Sequence, residues 1–207
     1  MFGRATLFRK RRAEHIMAMP AIKRRWSVRE VRQLIAENPL QTPRYELVDG
    51  ELLVTPSPTG AHQLAVALLW KALYEYLTRN PVGRALTSPL DVQLEPENIV
   101  QPDVLVVPPH EARRVLTEMP AMELMVAAEV LSPSSGRHDR VTKRPPYQRH
   151  VPEYWIVDLD ARLVERWRPP DERPEVLTKH LIWHPSGATE SFSLDLPRYF
   201  AEIFGDE

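Results

Sequence analysis

Hydrophobic and polar positions follow two periods along this chain, and the switches between them mark its elements. "SVREVRQLIAEN" places Val28, Val31, Leu34 and Ile35 on one face at helical spacing. Ser27 can accept from the backbone N–H of Glu30 while Glu30 reaches back, a capping box that starts the helix. "RYELVDGELLV" reads as a hairpin, with Asp49-Gly50 as the two-residue turn that supplies positive φ. A long helix follows from about Gly60 to Arg79, and Leu64, Val66, Leu68, Leu69, Leu73, Tyr76 and Leu77 surround most of it, so it is largely buried. Strands are expected at about 84–95 and 103–107. A polar connector, 109–120, leads to "MELMVAAEVL", nearly all apolar and therefore central in a sheet. The polar, basic stretch 132–150 carries some helix. "EYWIVDLD" and "RLVERWRP" form a strand pair, and "VLTKHLIW" is a further strand. "DLPRYFAEIF" is a closing helix with Asp195 as cap and Pro197 in its first turn. The order α-β-β-α-β-β-β-α-β-β-β-α describes one α/β domain with a mixed sheet and no internal repeat.

Composition narrows the chemistry. With 43% hydrophobic residues in 207, the chain can bury one sizeable core. No run approaches the roughly 18 apolar residues of a membrane helix. Cysteine is absent, which excludes disulfides and thiolate metal sites and leaves oxygen and nitrogen ligands for any metal. That usage fits the cytoplasm. Net charge is −1, so any case for nucleic acid must be local. Arginine far outnumbers lysine, and 21 prolines face 7 glycines, a bias of GC-rich or heat-adapted sources. Residues 1–25 are basic and lack an apolar core of signal-peptide length. A transit peptide is one reading of them; an upstream extension or basic arm, with the natural start at Met17 or Met19, is preferred. The globular domain is expected over 26–207.

Asp103 stands directly before the apolar run Val104 to Val107. A carboxylate there is either a turn residue or a metal ligand, because desolvating it costs several kcal/mol by order of magnitude unless something pairs with it. Glu129 raises the same question near the end of "LMVAAEV". It is either salt-bridged, with Arg84 or Arg137 as partner, or part of a site. Two such acids on paired strands can converge on one Mg²⁺ or Mn²⁺, hard ions held by carboxylate oxygen and water. Immediately downstream, Arg137, Arg140, Lys143, Arg144 and Arg149 face a single acid, Asp139. That run is either a solvated face or a local phosphate-binding patch. Metal for a scissile phosphate and arginines for the flanking backbone suit a phosphodiester.

The order "PD", about 25 residues, then an acid at a strand end resembles PD-(D/E)xK nucleases. The chain is similar to their Uma-type restriction-endonuclease branch through "YELVDGEL", "PSPTGAHQ", "QPDV", "EVLSPSS", the Asp139, Lys143, Tyr147 spacing and "VPEYWIVD". The resemblance runs from about Trp26 to Trp167. It implies a restriction-endonuclease-like α/β fold, a mixed central β-sheet flanked by helices, and a Mg²⁺- or Mn²⁺-dependent DNA endonuclease. It also implies catalytic roles for Asp103, Glu129 and Lys143, with Asp103 and Glu129 as metal ligands. Phosphate contacts fall to Arg137, Arg140, Arg144 and Arg149. No membrane is involved, and cutting two strands implies a homodimer. Glu46 or Glu51 adds a further contact, with Glu51 preferred. His62, in the first turn of the long helix, is either a neutral hydrogen-bonding group at the site or a packing residue. Tyr154 and Trp155 are read as packing.

Two departures stand out. The lysine of the general pattern lies two residues after the second acid, where period 2 puts both on one face. Here that position is Leu131, so Lys143 is the substitute. Pro145 and Pro146 remove two backbone donors, so the helix is expected to start at the prolines and leave Lys143 outside. Lys143→Ala is expected to abolish cleavage with folding nearly intact. Two other readings remain open: a catalytically impaired nucleic-acid-binding protein of the same fold, and a structural or regulatory partner protein.

Overall fold

The computed structural model describes residues 24–38, 40, 42–117, 123–132, 136 and 138–206. The basic extension expected over 1–25 lies almost wholly outside the described residues, as does Arg137. α1 (Val28–Ala36) begins with the expected capping box between Ser27 and Glu30. β1 (Arg44–Val48) and β2 (Glu51–Thr55) form the expected hairpin, with Asp49 at φ 50° and Gly50 at φ 80° in its turn. α2 (Gly60–Arg79) is capped by Thr59, whose side chain accepts from the His62 N–H. β3 (Arg84–Thr87), β4 (Val104–Val107), α3 (Pro109–Arg114) and β5 (Val126–Val130) follow. A π-helical segment, His138–Lys143, runs directly into α4 (Arg144–His150). The remaining elements are β6 (Glu153–Asp158), β7 (Leu163–Trp167), β8 (Glu175–Leu177), β9 (His180–Trp183), β10 (Phe192–Asp195) and α5 (Leu196–Phe204).

Six strands form one mixed sheet in the order β3-β4-β5-β6-β7-β8. Only β5 and β6 run parallel, joined through α4. The period-2 alternation sorts the core onto two faces. Val104, Val106, Val126, Ala128, Trp155 and Val157 face α2 and α5. Leu105, Val107, Ala127, Tyr154 and Ile156 face Tyr147 of α4 and the Val48 and Leu53 side of the hairpin. β5 is buried on both faces, as an apolar run in the middle of a sheet requires.

Three elements differ from the sequence-based expectation. The strand expected at 84–95 ends at Thr87, because Pro89 has no N–H for the ladder and Ser88 Oγ turns to the carbonyls of Gln101 (3.0 Å) and Pro102 (2.7 Å). "VLTKHLIW" is two strands in different sheets: β8 extends the main sheet from β7, whereas β9 pairs with β10. The connector 109–120 holds α3, started by a proline whose missing N–H would be an orphan at that position anyway. Among the described residues no helix is long and apolar enough to cross a membrane.

Candidate active site

The register of β4 against β5 creates the site. Val104 pairs with Ala128, so one step further Asp103 stands opposite Glu129, and directly opposed residues project from the same face. Asp103 is 3% exposed and Glu129 1%. Asp103 Oδ1 accepts from Arg44 Nη1 at 2.9 Å, and Oδ2 accepts from the Val130 N–H at 2.9 Å. His62 Nε2 lies 3.1 Å from Oδ2; an ionised carboxylate only accepts, so Nε2 carries the proton. Glu129 Oε1 receives Lys143 Nζ at 3.2 Å and the Tyr147 hydroxyl at 3.1 Å. Lys143 Nζ also lies 2.8 Å from Glu46 Oε2 and 3.2 Å from Asp139 Oδ1. The other oxygen of Glu46 accepts the Gln101 N–H at 2.8 Å.

As expected, α4 starts at the prolines with Lys143 as its N-cap, just outside it; Lys143 nonetheless sits inside the cluster, at the end of the π-helical turn. Pro145 and Pro146 cannot donate to the preceding turn, and that turn winds as a π-helix instead of unravelling. Arg144 Nε satisfies the freed carbonyl of Arg140 at 3.1 Å. The wider turn carries Asp139, Lys143 and Tyr147 to the acids from one side.

Four buried carboxylates (Asp103, Glu129, Glu46, Asp139) face two permanent cations, Arg44 and Lys143. Full ionisation would leave an excess of two negative charges. The stress falls on Glu129: burial pushes its carboxyl well above the usual range, and Asp139, Asp103 and Glu46 add to this against the pull of Lys143. Burial also works against ionised Asp103, but the His62 hydrogen bond and the Arg44 charge outweigh it and hold that carboxyl at about 2. Burial opposes the Lys143 charge, yet Glu129, Glu46 and Asp139 more than offset it and keep the ammonium protonated. A cavity of about 270 Å³ opens over Arg44, His62, Asp103, Glu129, Asp139 and Lys143.

Several sequence-predicted residues lie elsewhere. Glu46, not the preferred Glu51, reaches Lys143; Glu51 pairs with Val48 at the turn end of the hairpin. Among the described residues the Glu129 partner is Lys143 rather than Arg84, and the expectation for Arg137 lies outside them. Leu131 packs into the core. Arg140 binds Asp158 (2.6 Å) and Glu165 (2.7 Å), and Arg149 binds Glu95 (2.7 Å). Arg144 bonds to Gln148 (2.7 Å) and stacks 4.5 Å over the Trp167 ring. Tyr154 stacks on Tyr147 at 4.7 Å and Trp155 is fully buried, both as packing. Sequence reading missed Arg44, which carries no local signal, and named Asp139 for its spacing to Lys143 without giving it a place in the site, although that four-residue spacing marks the two as neighbours on one helix face.

No curated protein matches this chain. A crystal structure described as a putative nuclease belonging to DUF820 from Anabaena variabilis ATCC 29413 is similar, with 21% identity and a TM-score of 0.68. The match covers 78% of this chain and 92% of that one, and at that identity it speaks for the fold alone. A family model described as Uma2, putative restriction endonuclease, matches residues 29–197. That span covers most of the chain and every residue of the cluster, and the chain accordingly belongs to the Uma2 putative restriction endonuclease family.

Proposed function

We propose that this protein is a divalent-metal-dependent DNA endonuclease working at the Asp103–Glu129–Lys143 cluster. The observation that carries the reading is a buried lysine among three carboxylates at the floor of a cavity, with a fourth carboxylate alongside and an excess of acid over cation. Such an arrangement costs stability and accumulates where chemistry needs it. Hard carboxylate oxygens fit Mg²⁺ or Mn²⁺. Among the described residues no three metal-binding side chains close around an ion. This is compatible with an ion held by Asp103 and Glu129 and completed by water and phosphate oxygens. When bound, the ion supplies Lewis-acid polarisation of the scissile phosphate and a lowered pKa for bound water.

The chain's own residues supply the rest. Lys143, held protonated, donates to developing negative charge and does not serve as the base. His62 orients Asp103 through Nε2. Arg140, Arg144 and Arg149 do not line the cavity, whereas Arg44 does and commits only Nη1 to Asp103 and Gln101, so in this reading phosphate binding at the site falls first to Arg44. DNA is the substrate, and cleavage of both strands would use a homodimer. One observation favours a non-catalytic DNA-binding protein instead: Arg44 and Lys143 already neutralise one oxygen each of Asp103 and Glu129.

Nicking of supercoiled plasmid tests the proposal. Manganese should support nicking and a chelator should stop it. Asp103→Asn and Lys143→Gln should slow it about a hundredfold or more, the loss typical of a group acting on transition-state charge. Equal nicking by wild type and both variants refutes the assignment. Tight DNA binding without nicking supports the non-catalytic reading.

A further inference from the structure

A second groove, of about 400 Å³, adjoins the acidic cavity and plays no part in the chemistry above. The two share Arg44, Pro56, Pro58, His62 and Asp103 as a common wall. Beyond that wall the lining changes character. Val66 and Pro89 join the shared prolines as apolar surface, and Thr42 and Gln63 are neutral polar groups. Among the described lining residues Asp103 is the sole carboxylate and there is no lysine.

Arg44 stands at the seam with its side chain 15% exposed. Its Nη1 is committed to Asp103 Oδ1 and the Gln101 carbonyl. Among the described residues its Nε and Nη2 have no partner, which leaves donors of a planar fork for an anion. A ligand that fits both compartments has its anionic centre at the seam and a flat, weakly polar body in the groove. That is the chemistry of a nucleotide.

We propose that this groove receives the base of an unstacked nucleotide adjoining the scissile phosphate. Arg44 contacts the phosphate, the prolines and Val66 cover the base faces, and Gln63 reads a base edge. The substrate class is then DNA with an unpaired nucleotide at the cut, such as a bubble, flap or single strand. An intact duplex must pay to extrude a base, and an unpaired site does not. The inference rests on the nuclease reading for the identity of the polymer.

Binding without cleavage separates the two ideas. The full chain, free of divalent metal, is titrated against a duplex and a bubble of the same sequence carrying 2-aminopurine at the unpaired position. The bubble should bind on the order of tenfold more tightly, the size expected for one sheltered base, with a change in 2-aminopurine emission. Gln63→Trp, at an exposed position of α2, should fill the groove and erase that preference, with duplex binding and melting temperature unchanged. Gln63→Ala, which carries no bulk, should weaken the preference in the same direction. Equal affinity for bubble and duplex overturns the proposal, as does a preference that survives Gln63→Trp. Bubble preference without manganese-dependent nicking leaves the groove standing and removes the nuclease reading. Nicking without bubble preference does the reverse.

Discussion

Glu129 bears the cost of the site, and pH should reveal it. Its folded-state carboxyl is raised well above 4.5, so between 4.5 and that raised value the native state keeps a proton the unfolded chain has released. Stability from this group is complete below the unfolded value and falls as pH rises through the folded one. Asp103 acts at the other end. Its carboxyl drops from 3.8 to about 2 on folding, so its contribution is present above about 4 and is lost as pH falls through about 2. Glu129→Gln removes the strained charge while Lys143 keeps Glu46 and Asp139. Denaturant melts at pH 8 should show that variant more stable than wild type, with a flatter decline as pH rises above about 4.5. Lys143→Ala behaves oppositely, and the sequence-based expectation of intact folding does not survive the structure. Removing the one cation shared by three buried carboxylates costs about 3–5 kcal/mol when a buried pair is broken. The conservative Lys143→Gln is therefore the better probe of activity.

The element that decides whether the site works is the π-helical turn before α4. The prolines are expected to start the helix and leave Lys143 just outside it, and α4 does begin there with Lys143 as its N-cap. In the structure the prolines occupy the first turn of α4, and the preceding turn widens to bring Lys143 onto Glu129. Replacing both Pro145 and Pro146 with alanine restores two donors and favours ordinary α-winding at 3.6 residues per turn. That rewinding rotates Lys143 relative to Tyr147 and the acids. The double variant should lose manganese-dependent nicking by about tenfold or more, a loss in keeping with a misplaced catalytic group. Nicking at or above the wild-type rate would show that the α-register also delivers the lysine. The same scale explains the split of "VLTKHLIW": each half alternates correctly, but β8 finds β7 and β9 finds β10, a choice of neighbour that period 2 does not contain.

At the scale of the whole molecule, the described arginines of the basic run, Arg140, Arg144 and Arg149, are tied to the fold. Arg140 bridges Asp158 of β6 and Glu165 of β7 behind the site, with its side chain 37% exposed. Arg140→Ala should therefore lower stability by roughly 0.5–1 kcal/mol, the range of partly exposed ion pairs, and leave DNA affinity and its salt slope nearly unchanged. A slope that falls by about one phosphate contact would return Arg140 to the nucleic-acid surface. The sequence by itself determined the elements whose residues carry their own instructions. The Ser27–Glu30 capping box, the Asp49-Gly50 turn, the long α2 and the all-apolar β5 are local patterns, satisfied by neighbours within a few positions. It also marked Asp103 and Glu129, because a charge in apolar surroundings is conspicuous in one dimension, and Lys143 through its spacing to Asp139 and Tyr147. Partnership was decided only in three dimensions. Arg44 lies 59 positions from Asp103 in the chain, and Gln101 N–H reaches Glu46 across 55. Glu46 and Glu51 look equivalent along a hairpin, and only the packing of β1 beneath Lys143 separates them. Ion pairing depends on distance through space and on burial, and both are properties of the packed chain rather than of its order.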